Sequence, residues 1–220
     1  MGDGTVTKVY IIRHAQAEGN LLRQAQGHTD GGITETGFLQ IKALEARFAP
    51  VHIDAVYASD LLRTRTTAQA IYVPKHLPLH TNECFREYNM GVWEGRTWDD
   101  IFENDHQQSE NFNYHLERFH VAGGETAQQV LDRFLPALRG VAAEHDGQSI
   151  AIFSHGAAMR TVLTILAGGT LEDVGKVDYC DNTAVSLVEM EDGRARVIFR
   201  DDNSHLLAAG LSTRPKIRRE

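Results

Sequence analysis

Two histidines in this 220-residue chain occupy matching places. Lys8–Ile12 (KVYII) is a β-branched and aromatic run that reads as a buried strand, and it leads straight into Arg13-His14-Ala15. Ser149–Phe153 (SIAIF) reads the same way and leads into Ser154-His155-Gly156, where a helix begins at once. A third candidate strand, Ile53–Ala58, is followed by Ser59-Asp60-Leu61-Leu62-Arg63-Thr64. Ser59 is the expected helix cap there, and Arg63 falls in the first helical turn. In open α/β sheets ligands bind at the carboxyl ends of strands. A helix starting at that edge aims unsatisfied N–H groups and its positive end at the ligand, which suits phosphate. Arg13, His14, Arg63 and His155, with Gly156 at the helix start, are therefore expected to converge there. Two guanidiniums, two imidazoles and helix-start amides suit a tetrahedral dianion.

The elements that must position these groups follow from periodicity. Thr34 opens a helix carrying Phe38, Ile41, Leu44 and Phe48 on one face. Thr126 and Gln129 have the capping-box spacing, followed by Val130, Leu131, Phe134, Leu138 and Val141 at helical intervals. Ala157–Ala167 is an apolar helix closed by Gly168-Gly169. Thr183–Met190 and Arg194–Arg200 flank Asp192-Gly193, a two-residue hairpin signal. Strands alternating with helices imply a mostly parallel sheet covered on both faces, to which the hairpin adds antiparallel pairing. The expectation is an α/β protein: one domain over residues 1–220, a three-layer α/β/α sandwich on a mostly parallel mixed sheet. Residues 97–122 are polar and rich in aromatics and histidine, and read as irregular or short-helical. The basic stretch 205–220 is expected on the surface.

Bulk composition excludes several classes. With 42% hydrophobic and 24% charged residues, the chain can bury a full core. A formal net charge of -8 argues against nucleic-acid and membrane-surface partners. No apolar run is long enough to span a membrane. The N-terminus lacks the layout of a secretory signal, and Cys84 and Cys180 are the only cysteines, so a cytoplasmic setting is expected. No CxxC, HExxH or EF-hand pattern occurs, and Pro78 interrupts the helical spacing of His76 and His80. No metal site is expected.

The chemistry-bearing blocks together resemble the histidine phosphatase superfamily, the phosphoglycerate-mutase-like proteins, in its phosphatase branch. Arg13-His14-Ala15 resembles the Arg-His-Gly signature, with Asn20 at the expected place after it. Gly27-His28-Thr29-Asp30 with Ile33-Thr34 and Gly37 resembles the next block, and Ser59–Thr64 the Ser-Asp-Leu-x-Arg-Thr block. Arg86–Gly95 is similar to the stretch that carries the acid, and Gly123–Thr126 and Ser154–Gly156 complete the family order. Two departures stand out. Ala15 replaces the usual glycine, tolerable where φ stays negative, and Gln16 stands where many relatives carry glutamate.

The resemblance implies a phosphoglycerate-mutase-like fold and a phosphomonoester hydrolase needing no cofactor, acting on a small phosphorylated metabolite. His14 would be the nucleophile and form a phosphohistidine, Glu87 the proton donor, and Arg13, Arg63 and His155 the electrostatic clamp. A protonated His155 would suit that clamp best and would need a nearby carboxylate. Glu94 competes with Glu87 for the acid role. Asn20, Gln16 and Gly156 would contact substrate. Arg23 either reaches a second anionic group or faces solvent. Trp98, Phe102, Phe112, Tyr114 and Phe119 make residues 97–122 a lid or specificity insertion, or merely pack that segment down. Two rivals stand beside the hydrolase: a cofactor-dependent phosphoglycerate-type mutase and a non-catalytic phospholigand-binding module. Mutase relatives carry a longer insertion with paired arginines, whereas residues 97–122 hold only Arg118.

Overall fold

The structure is a computed structural model that describes residues 5–213. Its centre is strand β1 (Thr7–Arg13), in which Val9, Ile11 and Ile12 are wholly buried and which the single-turn helix α1 (Glu18–Leu21) follows. β1 pairs in parallel with β4 (Ser149–Ser154), and β4 with β2 (Ala55–Ala58), which in turn pairs with the short β3 (Leu79–Thr81). On its other side β1 runs antiparallel to β5 (Val185–Glu191), which turns into β6 (Arg194–Asp202). The sheet order is β3-β2-β4-β1-β5-β6. The expected three-layer mixed α/β architecture is what the chain forms.

Alternate strand residues feed two cores, because successive side chains point to opposite faces. Val9, Ile11, Ile150 and Ile152 pack with α6 (Ala127–Glu144) and α7 (Gly156–Leu166). Ile12, Ala151 and Phe153 pack on the other face with α2 (Glu35–Phe48) and α3 (Leu62–Tyr72). The Asp192-Gly193 turn has φ of 49° and 74°, the left-handed pair that a tight hairpin requires. The segment after the acid block forms two short helices, α4 (Trp98–Asn104) and α5 (His106–Tyr114). No helix among the described residues is long and apolar enough to cross a membrane.

Three local expectations change. Phe38 lies off the buried face of α2, at 55% exposure, while Leu44 and Phe48 are buried. Ser59 does not cap α3, which starts later, at Leu62. The Leu62 N–H donates instead to Asp30 Oδ2 at 2.5 Å. The stretch from 205 is not wholly superficial, since Leu206 is buried and Ser212 and Thr213 bond to the buried Asp181. The remainder of that expectation, residues 214–220, lies outside the described residues.

Candidate active site

Register places the two histidines side by side. Arg13 faces Ser154 across β1 and β4, so His14 and His155 follow on adjacent strand ends. Their ring centroids are 5.2 Å apart. Both lie at the carboxyl edge of the sheet, where α7 begins at Gly156.

His14 is buried, and its Nδ1 lies 2.7 Å from the Ala15 carbonyl. A carbonyl only accepts, so Nδ1 carries the proton and Nε2 keeps its lone pair. Sequence could not supply this tautomer-fixing acceptor, a backbone oxygen. Burial, then Arg63 and Arg13, push the His14 imidazole well below its ordinary value of 6.5, with the Ala15 bond acting against them. Ala15 itself is not among the residues of positive φ, so its methyl group sits without backbone strain.

Arg13 donates from Nη1 to the Cys180 carbonyl at 2.6 Å, while its buried Nε has no partner. Leaving a charged donor unmet in the interior costs about 1–3 kcal/mol or more, which an anion in the cavity would offset. A Cβ on Gly156 would come within 3.2 Å of this guanidinium, so glycine gives Arg13 its room. Replacing Arg13 with Lys is expected to lower kcat by about 100–1000-fold, the usual loss for one fixed donor to transition-state charge. Steady-state kinetics checks this; a loss confined to KM would detach Arg13 from the transferring group.

Arg63 and His155 are brought to the site but stand behind it. Both are fully buried, and neither belongs to the cavity wall. Arg63 donates to the carbonyls of Thr29 (2.8 Å) and Gly27 (2.7 Å), and from Nε to His155 Nδ1 at 3.2 Å. His155 Nε2 meets Ser59 Oγ at 2.7 Å. The expected carboxylate partner is therefore replaced by a guanidinium and a hydroxyl. Burial and the charge of Arg63 push His155 well below its ordinary value, and with Nδ1 accepting the ring is neutral.

The two candidate acids separate cleanly. Glu94 accepts the N–H groups of Gly27, His28, Thr29 and Met90, and so anchors the Gly27–Thr29 loop that Arg63 holds by its carbonyls. Glu87 lies on the cavity wall. Its Oε1 accepts from Tyr88 N (3.0 Å) and Ala158 N (2.7 Å), and its Oε2 from Ala157 N (2.9 Å). The Glu87 carboxyl thus rests on the first N–H groups of α7. Its loop is fixed by Arg133, which donates to the carbonyls of Cys84, Arg86 and Glu87 and pairs with Glu125. Sequence reasoning missed Arg133; the Gly-Gly-Glu-Thr block, which contains Glu125, was the available signal.

The cavity encloses about 820 Å³. Arg13, His14, Asn20, Glu87, Gly156 and Asn182 form its buried end. Asn20 Oδ1 accepts from Ala17 N at 3.0 Å, which leaves its amide nitrogen for a ligand. Gln16 also lines the wall, with its side-chain oxygen engaged by Thr34 Oγ1. At the open end Arg23 pairs with Asp99 at 3.0 Å, and His106 lies 3.6 Å from Glu110. Trp98, Phe102, Phe112 and Tyr114 also line the cavity. Phe112 and Phe119 are core residues, and Trp98 stacks on Phe112 at 17° between planes, so the aromatic segment packs and lines at once.

An unprotonated imidazole beside an unpartnered guanidinium N–H, with a carboxylate on the same wall, suits phosphoryl transfer. The family model of the histidine phosphatase superfamily (branch 1) matches residues 9–203. The chain belongs to that superfamily. It is a phosphatase of the histidine phosphatase type. Phosphoserine phosphatase 1 of Hydrogenobacter thermophilus is 29% identical over 91% of this chain and 95% of its own. Among solved structures, Bacillus stearothermophilus YhfR superposes with a TM-score of 0.87 at 28% identity, covering 91% of this chain and 99% of its own. Phosphoserine phosphatase from Entamoeba histolytica, in complex with 3-phosphoglyceric acid, gives 0.79 at 25% identity, with 91% and 99% covered. In this histidine phosphatase the mixed-sheet fold is shared with those solved structures.

Proposed function

We propose that the protein hydrolyses a small phosphomonoester through a phosphohistidine on His14 Nε2. The observation that carries this reading is the Ala15 carbonyl on Nδ1, which leaves Nε2 unprotonated in the cavity with the unpartnered Arg13 N–H. The Nε2 lone pair attacks phosphorus and the bond to the ester oxygen breaks. The departing alkoxide takes a proton from Glu87. Oε1 of Glu87 already accepts two N–H groups and Oε2 only one, so Oε2 has the free lone pair that carries this proton. The resulting carboxylate then takes a proton from water, whose oxygen attacks phosphorus, and the P–N bond breaks to release phosphate. Since the transferring group holds its charge on its equatorial oxygens, most of the catalysis is positioning and electrostatics. Arg13 and the Asn20 amide would contact those oxygens. Arg63 and His155 would act from behind, holding the Gly27–Thr29 loop and the wall next to His14.

For the alcohol, we infer a group bearing both charges, with O-phosphoserine as the leading candidate. The open end carries a guanidinium, an imidazole and two carboxylates, which match an α-carboxylate and an α-ammonium together. The phosphoserine phosphatase relatives support the same choice. Residues 97–122 then serve as a specificity cover on a single domain. A panel of phosphomonoesters tests this, with O-phosphoserine, 3-phosphoglycerate, a sugar phosphate and p-nitrophenyl phosphate at equal concentration and His14→Ala as blank. O-phosphoserine is expected to have the highest kcat/KM among the alkyl esters. Isomerisation of 3-phosphoglycerate with a bisphosphate primer and no phosphate release would replace the hydrolase reading by a mutase.

A further inference from the structure

Behind the nucleophile lies a polar network that none of the catalytic steps uses. Asp181 is 1% exposed. Its Oδ1 accepts the Thr213 N–H at 2.9 Å and the Asn182 N–H at 2.9 Å. Its Oδ2 accepts from Ser212 Oγ at 2.5 Å and Asn203 Nδ2 at 3.2 Å. Its donors are thus amides and hydroxyls, which keep the segment Leu211–Thr213 pressed against the sheet edge. Burying a carboxylate is costly unless its lone pairs are met, so removing these donors or the carboxylate frees the segment.

That segment reaches His14 from both directions along the chain. On one side Thr213 Oγ1 lies 3.2 Å from Asn182 Oδ1, and Asn182 Nδ2 donates to the His14 carbonyl at 2.9 Å. On the other side Gln40 Nε2 donates to the Leu211 carbonyl at 3.0 Å and to Thr213 Oγ1 at 3.2 Å. Gln40 Oε1 in turn accepts the Gln16 N–H at 2.9 Å. Thr213 itself lines the cavity. The backbone before and after Ala15, whose carbonyl sets the His14 tautomer, is therefore tied to one short strap.

We propose that Asp181 is a positioning residue that latches the Leu211–Thr213 strap, whose Thr213 lines the phosphatase pocket, and that this strap, through Asn182 and Gln40, holds His14 in its attacking pose. The proposal rests on His14 as nucleophile. Misplacing a nucleophile by an ångström costs up to about 100-fold in rate. Asp181→Asn and a strap variant, Ser212→Ala with Thr213→Pro, each remove the latch from one side in the full-length chain. Each is expected to lower kcat on p-nitrophenyl phosphate by about 10–100-fold, and combining them is expected to cost no more than the worse variant alone, because they act as a unit.

The pH profile separates positioning from mere loss of folding. Around His14 stand Arg13, Arg63 and His155, with Glu87 on the same cavity wall. Burial is the main cause of its depressed titration, so a freed strap admits water and moves the acid limb of kcat/KM to higher pH. Losses that multiply in the combined variant, or a strap variant with wild-type kcat, would overturn the proposal. So would a loss of kcat with an unmoved acid limb. If Asp181→Asn does not fold, the strap variant alone decides by its kcat and acid limb. Activity surviving in His14→Ala, measured alongside, would instead strike the nucleophile reading.

Discussion

His14→Ala is expected to lose turnover by on the order of a millionfold, the scale seen when an enzymatic nucleophile is deleted. Brief exposure of the wild-type protein to a 32P-labelled substrate should leave acid-labile label on the chain, and the variant should carry none. The acid limb of kcat/KM adds a second check. The folded His14 titrates below its ordinary value of 6.5, so the neutral, attacking form persists as pH falls through that value. Activity is lost only when lower pH protonates Nε2. An acid limb at or above the ordinary imidazole value would contradict the buried, guanidinium-flanked setting of this ring. So would stable label in the alanine variant.

Glu87→Gln is the other large effect. Loss of a general acid is expected to cost about 100–10,000-fold on a substrate whose alkoxide needs a proton. The loss on p-nitrophenyl phosphate should be much smaller, because p-nitrophenolate leaves without protonation. Gln is isosteric, but its amide nitrogen meets one of the N–H groups that Glu87 accepts at the start of α7. Thermal unfolding of the variant should therefore be measured beside the rates. Equal losses on O-phosphoserine and p-nitrophenyl phosphate would remove Glu87 from the acid role.

What could be read in the sequence, and what could not, divides along physical lines. β1 and β4 were legible because strands buried on both faces are short continuous apolar runs. Once those runs were placed, His14 and His155 had to follow on neighbouring strand ends. Arg63 was visible as a charged residue in a first helical turn, but not that its N–H groups are engaged by Thr29, Gly27 and His155. Ser59 matched a capping pattern, yet the better partner for its hydroxyl is His155 Nε2, from a strand end far away in sequence. Asp181, Asn182 and Gln40 carry no local pattern at all, and Arg133 is signalled only through its partner Glu125. Each is an ordinary polar residue whose importance comes from contacts across the fold, which periodicity cannot report. The aromatic residues of 97–122 left packing and lining undecided because Phe112 does both.

One topological fact bears on how the molecule comes to exist. β1 is hydrogen-bonded on one side to β4 and on the other to β5, and both neighbours belong to the later part of the chain. During synthesis from the N-terminus, Val9, Ile11 and Ile12 therefore emerge long before either partner strand exists. Until Ser149–Ser154 and Val185–Glu191 are made, this β-prone run has both edges unpaired, a hazard for association between nascent chains. Non-local pairing of this kind also slows folding. Restored phosphatase activity would thus report completion of the whole sheet, and early arrest of the chain would leave its stickiest strand unprotected.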